Sequence, residues 1–233
     1  MIPLRDNIPT LRFAYITYIL IGLNAVMFAY ELSLGQQGYY EFITRWGYTP
    51  ALVTQTIRSG GYDLAVLATL FTSVFLHGGW IHILGNMLYL HIFGNNVEDA
   101  MGRLRFAVFY VLIGVAANVG QIIVSPDSTV PGIGASGAIA GVLGAYLLLY
   151  PRAGVVVFVP IFFFLRLVTL PASLVLIFWF VIQVFEGTLT LAAGQAGAGG
   201  VAFWVHAAGF VLGMALIGVF RNRSLTEEKP TWM

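Results

Sequence analysis

The sequence predicts an all-α polytopic membrane protein: a bundle of six transmembrane helices with both termini cytoplasmic. Three observations carry that prediction. Of 233 residues, 59% are hydrophobic and only 9% charged, where soluble domains carry about 25% charged residues. Apolar runs long enough for the roughly 30 Å hydrocarbon core recur along the chain. The basic residues also segregate. With six spans, Arg5, Arg12, Arg103, Arg105, Arg152, Arg166, Arg221, Arg223 and Lys229 share one side, and only Arg45 and Arg58 lie on the other. That is a strong positive-inside bias, and one span more or fewer would scramble it.

Taken in order, residues 1–12 read as a short polar cytoplasmic tail, and 13–220 as the membrane domain. The first span runs from Phe13 to about Leu34. It follows Arg5 and Arg12, exceeds a signal h-region in length and has no small-residue cleavage site, so it is expected to be retained. Residues 35–62 form an outer amphipathic loop rich in Gly, Tyr, Gln and Thr. About Leu64 to Phe93 is apolar but interrupted by His77-Gly78-Gly79-Trp80, so the second helix proper should begin near Gly79 or Trp80. A third span covers about Phe106 to Val124, and Ser125-Pro126-Asp127-Ser128 is a turn. A fourth runs from about Ser136 to Tyr150 and stops at Pro151-Arg152. Residues 151–172 are apolar but broken by Pro160, Arg166 and Pro171, which reads as a cytoplasmic interfacial segment. About Ser173 to Leu191 is a fifth span, 192–200 an outer glycine-rich loop, and about Val201 to Phe220 a sixth. Residues 221–233 form a charged cytoplasmic tail.

Composition excludes several functions. There is no cysteine, which removes thiol catalysis, disulfides and thiolate metal sites. A net charge near +1 argues against nucleic acid. No linker, repeat or low-complexity tract marks a second domain.

The chemistry resides in polar groups within the spans, where they are costly and usually functional. Ser136 stands among small residues in Pro131-Gly132-Ile133-Gly134-Ala135-Ser136-Gly137. It is either a packing residue or a nucleophile at the start of a helix. A helix over 136–150 is about 22 Å long, short of the hydrocarbon core, so its N-terminus would be recessed below the outer surface. His82 and Asn86, four residues apart, share one helix face. His206 lies near the outer end of the sixth span. His91, nine residues from His82, falls on the opposite face and reads as structural or interfacial. Ser136, His82, Asn86 and His206 can therefore meet at one level inside the outer leaflet. A serine needs a base to become nucleophilic, and histidine is the usual one. No Asp or Glu lies mid-span, so a Ser–His dyad is what this chain can build. Free N–H groups at the Ser136 helix terminus suit an oxyanion, and His82 and Asn86 can add donors. Small-xxx-small pairs, Gly137 with Gly141 and Gly209 with Gly213, allow the fourth and sixth helices to approach closely.

Across nearly its full length the chain resembles the rhomboid intramembrane serine proteases. The resemblance rests on three motifs: His77-Gly78-Gly79-Trp80-Ile81-His82-Ile83-Leu84-Gly85-Asn86-Met87-Leu88, Gly134-Ala135-Ser136-Gly137, and His206 followed by Gly209 and Gly213. It implies Ser136 as nucleophile, His206 as general base, and His82 and Asn86 as oxyanion donors. It implies that His77 supports the first loop and the cavity water, and that Glu98 is a structural acidic position at the cytoplasmic end of the second helix. It further implies single-pass transmembrane proteins as substrates, reached laterally from the lipid bilayer beside the fifth helix under a cap loop. The family's frequent Trp-Arg pair before the second helix is replaced by Tyr62-Asp63. Where some members stack a Tyr on the catalytic histidine this chain has Ala140, and Val205 stands where Ala is usual. What orients His206 is thus open. No cofactor, metal or nucleic-acid partner is expected, and the location expected is the plasma membrane. The alternatives are a protein of the same fold that binds transmembrane segments without cutting them, and a transporter or haem protein using the buried histidines.

Overall fold

The computed structural model describes residues 2–161, 164–193, 202–222 and 224–225. Residues 194–200 of the expected cap loop, and most of the C-terminal tail, lie outside the described residues. In chain order the elements are a strand β1 (Ile2–Asp6), a long helix α1 (Tyr15–Ser33), and two amphipathic helices, α2 (Gly35–Trp46) and α3 (Pro50–Arg58). Helix α4 (Leu64–Thr72) is capped by Asp63, whose carboxylate accepts from Ala65 N and Val66 N at 2.9 and 3.3 Å. It ends in a 3-10 turn (Ser73–Phe75). Helix α5 (Trp80–Tyr89) continues through a π-helical turn (Leu90–Gly94) into α6 (Asn95–Met101). Then come α7 (Arg103–Val124), α8 (Ser136–Leu149), β2 (Gly154–Ile161), β3 (Phe164–Pro171), α9 (Ala172–Ala192) and α10 (Phe203–Phe220).

Helices α1, α7, α9 and α10 are long and apolar enough to cross a membrane. A fifth candidate is the pair Leu64–Phe75 and Trp80–Met101, bent by 78° at the His77–Gly79 break. Their outward faces carry exposed large apolar side chains, among them Leu23 and Val26 on α1, Leu112 and Val119 on α7, and Ile177 and Val181 on α9. A soluble protein rarely exposes so much apolar surface. The chain is an integral membrane protein. Helix α8 is the exception in length: its 14 residues rise about 21 Å. It is also enclosed, with every residue from Gly137 to Leu147 buried. A helix that is apolar all round belongs at the centre of a bundle.

The fold is mostly helical but not all-α as expected. Strands β1, β2 and β3 form a three-stranded antiparallel sheet in that order. Ile2 pairs with Phe158, and Gly154 through Ile161 pair with Pro171 through Phe164. Residues 2–6, expected as a tail, are therefore an edge strand, and the 151–172 segment is a hairpin. The Val-rich run Val155–Val159 favours extended backbone. Pro160 and Pro171 sit near strand ends, where a missing donor is tolerated.

The sheet end of the bundle is tied by carboxylates. Ala14 precedes α1 without a capping side chain. Glu98 of α6 supplies the cap: its carboxylate accepts from Ile16 N (3.0 Å), Thr17 N (2.8 Å) and Thr17 Oγ1 (2.8 Å). Negative charge at a helix N-terminus also complements the helix dipole. Asp99 accepts from Leu11 N and Arg12 Nε. Asp6 accepts from Asn96 Nδ2 (2.7 Å) and the Tyr146 hydroxyl (2.5 Å), which joins β1 to α6 and α8.

Candidate functional site

The site is built at the opposite end, around the start of α8. The chain reaches it by an irregular path that is pinned on two sides. Tyr48 and Gly132 exchange backbone hydrogen bonds of 3.2 and 2.7 Å, and Gly134 N donates to Ser73 O at 2.9 Å. Asn118 of α7 holds that 3-10 turn from behind, donating to Leu70 O and Ser73 Oγ. Non-helical backbone at membrane depth is tolerated when protein satisfies it.

Ser136 is the first residue of α8. The first intrahelical bond runs from Ile139 N to Ala135 O (3.0 Å). The N–H groups of Ser136, Gly137 and Ala138 therefore stand outside the helical ladder, at the positive end of the helix dipole. Gly134 makes the approach possible. Its φ is +129°, a region L side chains rarely adopt, and a Cβ there would lie 2.7 Å from His82 Nε2 and 3.6 Å from Ser136 Oγ. His82 and Ser136 thus face one another across a glycine.

The tautomer of His82 follows from its partners. Its Nδ1 accepts a hydrogen bond from Gly78 N at 3.2 Å. A neutral ring accepting at Nδ1 carries its proton on Nε2, and Nε2 is the atom directed past Gly134. Asn86, one turn along α5, is buried, and its Nδ2 has no hydrogen-bond partner among the described residues. Two side-chain donors and the α8 N-terminus make a group that can receive a developing negative charge.

His206 comes from the first turn of α10, and small residues bring that helix onto α8. A Cβ on Gly209 would lie 2.2 Å from Gly137 O, one on Gly213 2.0 Å from Gly141 O, and one on Gly144 2.1 Å from Phe210 O. Backbone meets backbone along three turns, with Gly137 against Val205, the neighbour of His206. His82 is within electrostatic reach of His206. No hydrogen bond joins Ser136 to His206 among the described residues; catalytic hydrogen bonds often tighten only once substrate is bound. The bond His206 does make was not foreseen: its Nδ1 lies 2.7 Å from Gln183 Oε1 of α9, and its ring lies 5.8 Å from that of Trp179, tilted by 36°. A glutamine in the middle of an apolar span is the sequence signal that could have found it.

His77 is fully buried in the break before α5, its ring 5.1 Å from that of His82. Its peptide is gripped from both sides: Glu31 of α1 accepts from His77 N at 3.2 Å, and the Tyr39 hydroxyl of α2 donates to His77 O at 3.3 Å. Burial, and then the Glu31 charge, push the Tyr39 phenol above its ordinary pKa. Sequence reasoning passed over Glu31 because it sits at the end of its span, where an acid reads as interfacial. His91 is exposed against Tyr18, away from this group. Glu98 lies at the sheet end and does not join the site. Among the described residues no cluster of three or more His, Cys, Asp or Glu side chains could hold a metal ion.

Comparison with known proteins matches the Rhomboid domain over residues 65–223, a range containing Ser136, His206, His82, Asn86, His77 and Gln183 but not Glu31, Tyr39 or Tyr48. YdcA of Bacillus subtilis, which carries the rhomboid protease name, is 36% identical over 91 residues, covering 37% of this chain and 45% of YdcA. The rhomboid protease GluP of the same organism is 33% identical over 131 residues, 56% of this chain and 24% of GluP. Inactive rhomboid protein 1 of Drosophila melanogaster is 30% identical over 83 residues, 36% of this chain and 6% of that protein. The chain spans less than half the length of these curated relatives. With the matched range covering well over half of its residues, the chain belongs to the rhomboid family.

Proposed function

We propose that this protein is an intramembrane serine endopeptidase that cleaves single-pass transmembrane proteins by a Ser136–His206 dyad. Six spans place both termini in the cytoplasm of a plasma membrane, with α8 as the short central span and the α4–α6 stretch as the bent one. The observation that carries the reading is the setting of Ser136: the first residue of a short, buried helix, facing His82 Nε2 across Gly134, on the helix clamped against the one that bears His206.

In this reaction His206 takes the Ser136 hydroxyl proton as Oγ bonds to the scissile carbonyl carbon. The resulting oxyanion is received by His82 Nε2–H, Asn86 Nδ2–H and the N–H groups at the start of α8. The C–N bond then breaks, and the amine leaves with the proton held by His206. Water, deprotonated by the same histidine, cleaves the acyl-serine ester and regenerates Ser136. Substrate reaches the site from the bilayer beside α9, and helix-breaking residues in it expose the amide to attack.

The test is cleavage of a transmembrane peptide by the full chain in liposomes. Ser136→Ala and His206→Ala should each lower kcat by about 10⁴-fold or more, and a fluorophosphonate should label wild type but not Ser136→Ala. Retained cleavage in either variant overturns the dyad. Binding of transmembrane peptides with no turnover by wild type would instead identify a non-cleaving member, a possibility raised by the relative named as inactive.

A further inference from the structure

We propose that Gln183 of α9 is a positioning residue for His206: it fixes the ring's tautomer so that the lone pair lies on Nε2, and with Trp179 it fixes the ring's plane. The proposal rests on the dyad reading and deepens it. A neutral imidazole carries one proton, and which nitrogen bears it is set by the hydrogen bond the other ring nitrogen makes. His206 has Gln183 Oε1 at 2.7 Å from Nδ1. An amide oxygen only accepts, so Nδ1 carries the proton and Nε2 is left basic. Were the amide turned to present its NH2, Nδ1 would accept, Nε2 would be protonated, and the ring could not take a proton from Ser136.

This is the reverse of His82, whose Nδ1 accepts from Gly78 N and whose Nε2 is thereby a donor. Two histidines at one site are held in opposite tautomers by opposite partners, one as donor and one as acceptor. Gln183 is itself buried, so its amide cannot exchange His206 for water at no cost. Trp179, one turn from Gln183 on the same helix, lies against the ring at 5.8 Å. The two side chains hold the ring at an edge and near a face. This chain has Ala140 four residues after Ser136, so α9 supplies an orientation that α8 does not. The partners of the His206 ring are Gln183 and Trp179 from α9, His82 of α5 is the titratable group that acts on it, and Glu186, one turn beyond Gln183, is exposed.

The experiment uses the full chain in liposomes with a fluorogenic transmembrane peptide, comparing wild type, Gln183→Leu and Gln183→Glu. Gln183→Leu should lower kcat about 10- to 100-fold with KM within twofold. Gln183→Glu should keep most activity, because its carboxylate accepts from the same Nδ1–H. Its negative charge favours the imidazolium, so the acid limb of kcat/KM should move up by about one pH unit or more. A structural role alone would not move that limb. In parallel, 15N spectra of histidine-labelled protein should show His206 protonated on Nδ1 in wild type and a tautomer mixture in Gln183→Leu. This readout needs no turnover and can be made on Ser136→Ala. Wild-type kcat in Gln183→Leu, an unmoved acid limb in Gln183→Glu, or an Nε2-protonated ring in wild type would each overturn the proposal. A correct tautomer in a protein that cleaves nothing would leave Gln183's role standing and overturn the protease reading instead.

Discussion

Replacing Gly209 with alanine tests whether the contact between α8 and α10 sets the geometry of the site. The new methyl carbon would lie 2.2 Å from Gly137 O and 3.0 Å from Gly137 C. Both atoms are backbone, so no side-chain rotation relieves the clash. Ordinary contact begins at 3.4 Å, so the helices must separate by about 1 Å at this level. Gly137 follows Ser136, and Gly209 is one turn from His206, so the separation is transmitted directly to the proposed dyad. A misplacement of that size costs on the order of 100-fold in rate, and overpacking of this kind costs about 1–3 kcal/mol in stability. Gly218, on the same helix, meets nothing within 4 Å, so Gly218→Ala is the matched control. Alanine there should be neutral or stabilising by up to about 1 kcal/mol. The assay is initial cleavage rate in liposomes together with thermal unfolding in detergent. Gly209→Ala should lose both activity and Tm while Gly218→Ala keeps both. Wild-type rate and Tm in Gly209→Ala would refute the reasoning.

Three other perturbations have defined outcomes. Gly134→Ala, strained at φ +129° and pressed against His82 Nε2, should lower kcat about 100-fold with little change in KM, measured by steady-state kinetics; an unchanged kcat would remove His82 from oxyanion stabilisation. Glu98→Gln keeps one acceptor but turns an NH2 towards the donors of Ile16 and Thr17. It should cost about 2–3 kcal/mol of stability, seen as a lower Tm, and an unaltered melting curve would show that the cap contributes nothing. Asp6→Ala takes the acceptor from the Tyr146 hydroxyl and leaves Asn96 Nδ2 with Asn95 Oδ1 alone. Hydrogen exchange should then show faster opening of β1, and unchanged protection there would mean that strand pairing alone holds it.

The helices were legible because their signals are local. Length, apolar content and the His77-Gly78-Gly79 interruption reside in contiguous residues, and the structure breaks the helix at that point. The candidate site was legible for a similar reason. Ser136 is framed by glycines whose backbone demands show in their neighbours, and His82 and Asn86 are related by helical spacing alone. The sheet was not. Residues 2–6 find their partners 149 to 156 positions away, and an isolated five-residue strand has no signal of its own. The hairpin over 154–171 read as an apolar tract without alternation, which periodicity cannot assign.

The sequence by itself determined that the chain lives in a membrane, where its long apolar helices lie, and which serine and histidines stand among small residues. Only the tertiary structure decided what each polar group faces. Glu98 caps a helix 82 residues away, Glu31 accepts from the peptide of His77, and Gln183 reaches His206 from a neighbouring helix. The physical reason is that a buried hydrogen bond depends on which helix faces are brought together, and that is settled by the packing of the whole bundle. The spacing of residues along one chain records the faces but not their partners.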